Sequence, residues 1–167
     1  MDARLEIAWR QIEFAREYST ALLEGIEDGE WFATPDSSPT HLAWQVGHLA
    51  MAQYGLCLFR IRGRRTEDSE LMTSRFRKQF SRGSLPVADA AAHPSPDEIR
   101  GVFDRVYERV QLELPATDPS ALDEPVDAPY AGYATKLGAL LFCSHHEMIH
   151  AGQIGLLRRL LGREPVR

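Results

Sequence analysis

Residues 146–150 read His146-Glu147-Met148-Ile149-His150, which fits H-E-x-x-H, with a further His145 just ahead. Side chains four apart on a helix share a face. His146 and His150 therefore project within about 40° of each other, about 6 Å apart along the axis. Two imidazoles so placed can reach one metal ion at about 2.0–2.1 Å per bond. His145 points about 100° away from His146 and cannot join the pair on an unbroken helix. The same pattern marks zinc proteases, where the glutamate is the general base and a third ligand follows. The extended protease pattern requires glycine at 153 and histidine at 156, where this chain has Gln153 and Leu156. Downstream of His150 the only acid is Glu164, past the end of the helical pattern. No strand pattern is evident ahead of the motif to hold a peptide as an added strand. The protease reading is therefore disfavoured: it lacks its third ligand and its substrate-holding edge.

A third ligand is available upstream. The chain has six histidines, His41, His48, His93, His145, His146 and His150. His48 shares a predicted helix face with Trp44, Met51, Ala52, Gly55 and Phe59. A single histidine on such a face is ordinarily a hydrogen-bonded core residue. Opposite an inward pair it becomes a candidate ligand. Three imidazoles from two helices form a facial site that leaves coordination positions open for water or substrate. His146 and His150 share their own face with Ala139, Phe142, Cys143 and Leu157. Around these three, Gln45 and Gln153 are candidate hydrogen-bond partners for the ligands or a substrate. His41 lies two turns before His48 and is expected at the pocket mouth. Glu147, about 60° from His150, is expected either at the pocket rim or in a salt bridge at a helix junction. Cys143, one turn before His146, is expected as a small buried residue beside the site. His93, next to Pro94, reads as a solvated loop residue.

Four helical patterns must position these residues. The first covers about 3–27, with Leu5, Ala8, Ile12, Ala15, Ser19, Leu22, Leu23 and Ile26 at helical spacing. The loop "TPDSSPT" follows, and the second helix runs from about Thr40, a plausible cap, to Arg62. The third starts at Ser95 and Pro96 and carries the stripe Ile99, Val102, Phe103, Val106, Val110 and Leu114. The fourth runs from about 135 to Leu161, with Gly162 as its stop. The stretch 63–94 is too long for a plain loop, and "DSELMTSRFRKQF" predicts a short helix within it. The Pro-rich stretch 115–134 shows no convincing strand. These patterns predict one all-α domain over 1–167, a four-helix bundle with long crossover connections.

Bulk properties agree. At 167 residues the chain is long enough for a core without disulfides, and its 44% hydrophobic and 26% charged composition is ordinary for a globular protein. A net charge of −5 argues against nucleic acid and acidic membranes as partners. Cys57 and Cys143 lie in apolar contexts and read as reduced thiols. The start, "MDARLEIAWRQ", lacks an apolar leader, and no run is long and apolar enough to span a bilayer. A cytoplasmic location is expected. Arg60, Arg62, Arg64, Arg65, Arg75, Arg77, Lys78 and Arg82 form a basic stretch interrupted by Glu67, Asp68 and Glu70. It reads as a partly paired solvated surface, with an anion-attracting rim as the lesser alternative. The fourth helix is apolar nearly all round, because Leu137, Leu141 and Met148 point away from its histidine face. That predicts cover by the long connections or by a second subunit, a homodimer.

"WQVGHLAMAQ" on the second helix and "HHEMIHAGQIGLLRRLLG" on the fourth resemble the DinB-like superfamily of metal-binding four-helix bundles. That superfamily includes the YfiT-like putative metal hydrolases and thiol S-transferases. The resemblance spans most of the chain. It places the family's metal ligands on His48, His146 and His150, the residues that helix geometry selects independently. It implies a divalent ion, zinc or nickel, a homodimeric assembly, and in some branches a low-molecular-weight thiol such as bacillithiol, mycothiol or glutathione. The expected activity is a metal-dependent transferase or hydrolase that activates a small-molecule thiol or water. The alternative is a non-catalytic bundle that binds a metal or a small molecule.

Overall fold

The computed structural model describes residues 2–130 and 133–166, and of 128–130 and 133 only the backbone. Four long helical stretches form the bundle. α1 (Ala3–Leu22) starts where the Asp2 carboxylate accepts the Arg4 and Leu5 N–H groups. α2 (Leu42–Gln53) runs on through a π-helical turn (Tyr54–Phe59) into α3 (Arg60–Arg62). After the short helices α4 (Asp68–Leu71) and α5 (Ser74–Gln79), α6 spans Pro96–Glu113 with Ser95 as its cap. α7 (Lys136–Leu160) is the longest, capped by the Thr135 hydroxyl at 3.1 Å from the Gly138 N–H.

α1 packs chiefly on α7, while α2 packs on both α6 and α7. The four stretches thus share one core. On α6, Ile99, Val102, Phe103, Val106 and Val110 are all buried, as their spacing predicts. α1 presents Leu5, Ala8, Ile12, Ala15 and Leu22 to the same core.

Several boundaries differ from the sequence expectation. α1 stops at Leu22 rather than near 27, because Gly25 takes a left-handed conformation (φ +72°) that turns the chain. The cap of α2 is His41 and not Thr40, whose hydroxyl instead accepts from Gln45 at 2.9 Å. The insert after α3 holds two short helices, divided at Met72, which is extended. Before α7 the chain forms an antiparallel hairpin, β1 (Pro125–Tyr130) with β2 (Tyr133–Thr135). Prolines at 125 and 129 mask a strand in the sequence. A two-stranded ribbon tolerates them because both its strands are edges.

Candidate metal centre

His48, on α2, and His146 and His150, on α7, bring one ring nitrogen each to a common point. The three atoms lie within 4.8 Å of one another. His48 Nε2 and His146 Nε2 are 3.3 Å apart. Two nitrogens bound to one tetrahedral ion at about 2.0–2.1 Å would be separated by about 3.4 Å, so the donor set fits a divalent ion.

The surroundings orient these nitrogens. His48 Nδ1–H donates to the Phe80 carbonyl at 2.8 Å, which leaves its Nε2 lone pair facing the other rings. Trp44 stacks on His48 with ring centroids 4.8 Å apart and an interplanar angle of 5°. The Trp44 indole N–H is itself tied to Ser84 Oγ at 3.0 Å. His150 Nδ1–H donates to Gln45 Oε1. The Gln45 amide then donates to Gln153 Oε1 at 2.7 Å and to Thr40 Oγ1 at 2.9 Å, so every polar group of this buried side chain is used. Burial lowers the His48 pKa, against the pull of the Phe80 carbonyl. Burial, then His48, lowers His146 to about 4. Burial, then His146 and His48, lowers His150 to about 3. All three imidazoles are therefore neutral near pH 7, the state in which imidazole binds a metal.

His48 and His146 form one wall of a cavity of about 370 Å³, whose apolar sides include Met51, Ala52, Leu56 and Phe142. Arg60 and Arg82 also line it. Their charge pattern predicts mainly solvated surface for these arginines, and helical spacing predicts Phe59 on this face.

Of three other expected neighbours, His41 lies elsewhere, while Cys143 is the small buried residue and Glu147 the salt-bridging residue that the sequence offers. His41 is fully buried at the start of α2: its Nδ1 accepts the Trp44 N–H at 3.2 Å and its Nε2–H donates to the Val87 carbonyl at 3.0 Å. It caps a helix and does not stand at the pocket mouth. Cys143 is buried in the core, where its own thiol donating toward Cys57, and then burial, push its pKa well up. Glu147 points away from the cavity into a buried ion pair with Arg16, at 2.7 Å. Arg16 also donates to the Phe103 carbonyl at 2.9 Å and to Gln53 Oε1 at 2.8 Å, and lies over the Phe103 ring. Arg16 follows Ile12 by four residues on the buried stripe of α1, and that position was the available signal for it. His93 is not simply solvated. It is half-buried, stacks with Phe32, and its Nε2–H donates to the Val87 carbonyl at 2.7 Å. His145 is exposed and turned away from the cavity.

An all-α bundle with three converging neutral histidines on two of its helices defines a class of helical proteins able to hold a metal ion. The profile of the DinB superfamily matches residues 11–154, and the chain belongs to that superfamily. A comparison with curated proteins returns no match.

Proposed function

We propose that this chain binds one divalent ion, zinc or nickel, on His48, His146 and His150, and transfers a small-molecule thiol to an electrophile. The observation that carries the reading is the convergence of three neutral imidazoles at the wall of a small-molecule-sized cavity. A divalent ion held there would lower the pKa of a thiol or a water, making the deprotonated form available near neutral pH. The chain's own groups do the rest. The Phe80 carbonyl and Gln45 hold the Nδ1 protons outward, and Trp44 fixes the plane of His48.

A hydrolase could use the same centre. Thiol transfer is favoured because no carboxylate among the described residues lines the cavity. Hydrolysis draws on a positioned side chain to shuttle protons. A thiol needs to lose only one proton, from a pKa of about 8.5. The glutamate of H-E-x-x-H supplies no such base, since Arg16 holds it in the core, off the cavity wall.

The reading includes a cytoplasmic location and a second copy of the chain against the outer face of α7. No helix among the described residues is long and apolar enough to cross a membrane.

The test is metal content. After incubation with zinc or nickel and desalting, the chain should retain one ion and His48→Ala should retain almost none. Full occupancy in His48→Ala would sink the assignment. Metal-dependent, saturable thiol turnover that disappears in His150→Ala establishes the transferase. Chelation that lowers the melting temperature, with no turnover of any thiol or ester, identifies a metal-stabilised scaffold instead.

A further inference from the structure

Beside the neutral imidazoles, the charged groups among the described residues that line the cavity are Arg60 and Arg82. Arg60 reaches it through a break in helical register. In an uninterrupted α-helix Phe59, eleven residues after His48, would face the cavity. The π-helical turn Tyr54–Phe59 intervenes, and the Arg60 N–H bonds to the Gly55 carbonyl five residues back. A one-residue slip of this kind rotates everything beyond it. Phe59 is accordingly 48% exposed, and Arg60 takes its place on the wall. The Arg60 guanidinium is steadied by donating from Nη1 to the same Gly55 carbonyl at 3.0 Å. Arg82 comes from the segment that follows α5, so two separate elements deliver positive charge to one cavity.

Two other arginines of the basic stretch serve ion pairs. Arg62 pairs with Asp68 at 2.7 Å and with Glu113 at 2.6 Å, and Arg65 pairs with Glu113 at 3.3 Å. Among the described residues, Asp and Glu meet these two arginines but none lines the histidine cavity. Arg60 and Arg82 stand on the cavity wall itself.

We propose that Arg60 and Arg82 select a substrate with an anionic group, a carboxylate or a phosphate, at the far end of an apolar chain from the atom that meets the histidines. Guanidinium groups suit both anions through paired N–H donors. The length follows from the helix. Gly55, which anchors Arg60, is seven residues beyond His48, a rise of about 10 Å. A chain of about six carbons spans it, along Met51, Ala52 and Phe142. The inference deepens the reading above and rests on it only for the histidine end of the ligand.

The experiment measures dissociation constants by calorimetry on the 167-residue chain, metal-free and zinc-loaded. The probes are hexanoate, hexyl phosphate, hexan-1-ol, 6-mercaptohexanoate and 6-mercaptohexan-1-ol. Metal-free chain should bind hexanoate or hexyl phosphate about tenfold tighter than hexan-1-ol, the factor one charge-assisted hydrogen bond supplies. The tighter of the two identifies the anion. Arg60→Gln with Arg82→Gln should bring the ratio near one, while Arg60→Lys, which keeps the charge, should preserve part of it. A wild-type chain with no anion preference, or a doubly substituted chain that keeps it, overturns the proposal. The thiol arm separates the two readings. Anion preference without any gain from the thiol in zinc-loaded chain upholds the arginine rim and removes the thiol-transfer reading. A thiol gain without carboxylate preference does the reverse.

Discussion

At the residue scale, the three histidines and Glu147 sit one to four positions apart in sequence or on facing helices, yet do opposite work. The histidines stay neutral because burial disfavours the imidazolium, with His150 near 3 and His146 near 4. Both values lie below the ordinary value of about 6.5 in an unfolded chain. The unfolded state therefore binds more protons between those limits, and stability rises with pH there. Metal-free protein should hold its full stability above about pH 6.5 and lose it progressively as the pH falls toward 4 and 3. Urea denaturation across that range checks this, and a flat profile would contradict the burial of these rings. Glu147 faces the core, where its carboxylate satisfies a guanidinium that is only 2% exposed. Glu147→Ala leaves that charge buried and unpaired, at an expected cost of about 3–5 kcal/mol. Zinc stoichiometry in the folded fraction should be unchanged. Loss of zinc from a fully folded Glu147→Ala protein would show that Glu147 serves the metal after all.

At the element scale, the centre depends on how α2 meets the segment after α5. A Cβ on Gly47 would lie 2.5 Å from the Phe80 ring, so only glycine lets that ring lie against α2. The Phe80 carbonyl in turn holds the His48 Nδ1 proton. Gly47→Ala brings two opposing effects. Helix propensity favours alanine by up to about 1 kcal/mol. Overpacking costs about 1–3 kcal/mol and displaces Phe80. The second should win, giving net destabilisation and zinc affinity about tenfold weaker, in the range typical of lost outer hydrogen bonds. Competition against a chromophoric chelator measures it. A more stable variant with wild-type affinity would show that Phe80 is not held by this contact. The π-helical turn acts at the same scale, since it decides which side chain of the α2–α3 stretch faces the cavity.

At the scale of the whole molecule, α7 is covered on only part of its circumference. Its inner side meets α1 and α2, while Met148 (38%), Ile149 (59%), Leu156 (49%) and Leu160 (39%) remain exposed. Gly152 lies among them, with open space where a Cβ would stand. Apolar groups gathered along one helix face are the kind of surface that a partner covers. The expected assembly is a homodimer through this face, and Ile149→Glu with Leu156→Glu should yield monomer without loss of zinc. Sedimentation velocity decides it, and a wild-type monomer at micromolar concentration removes the dimer and leaves the metal centre as it stands.

The amino-acid sequence by itself determined whatever depends on neighbours within a turn or two. The i, i+4 spacing places His146 and His150 on one face, and the apolar stripe of α6 defines what that helix buries. His48 was legible for the same reason, as a polar interruption of an apolar helical face. Tertiary structure decided what depends on partners far along the chain. The direction of Glu147 follows from Arg16, 131 residues away, and the capping role of His41 from a carbonyl at Val87. The exchange of Phe59 for Arg60 arises in a helical slip of one residue, which no periodic pattern contains. Short-range geometry repeats and can be read from spacing. The partner of a buried charge is whichever group the packed bundle brings within about 3 Å, and that depends on every helix at once.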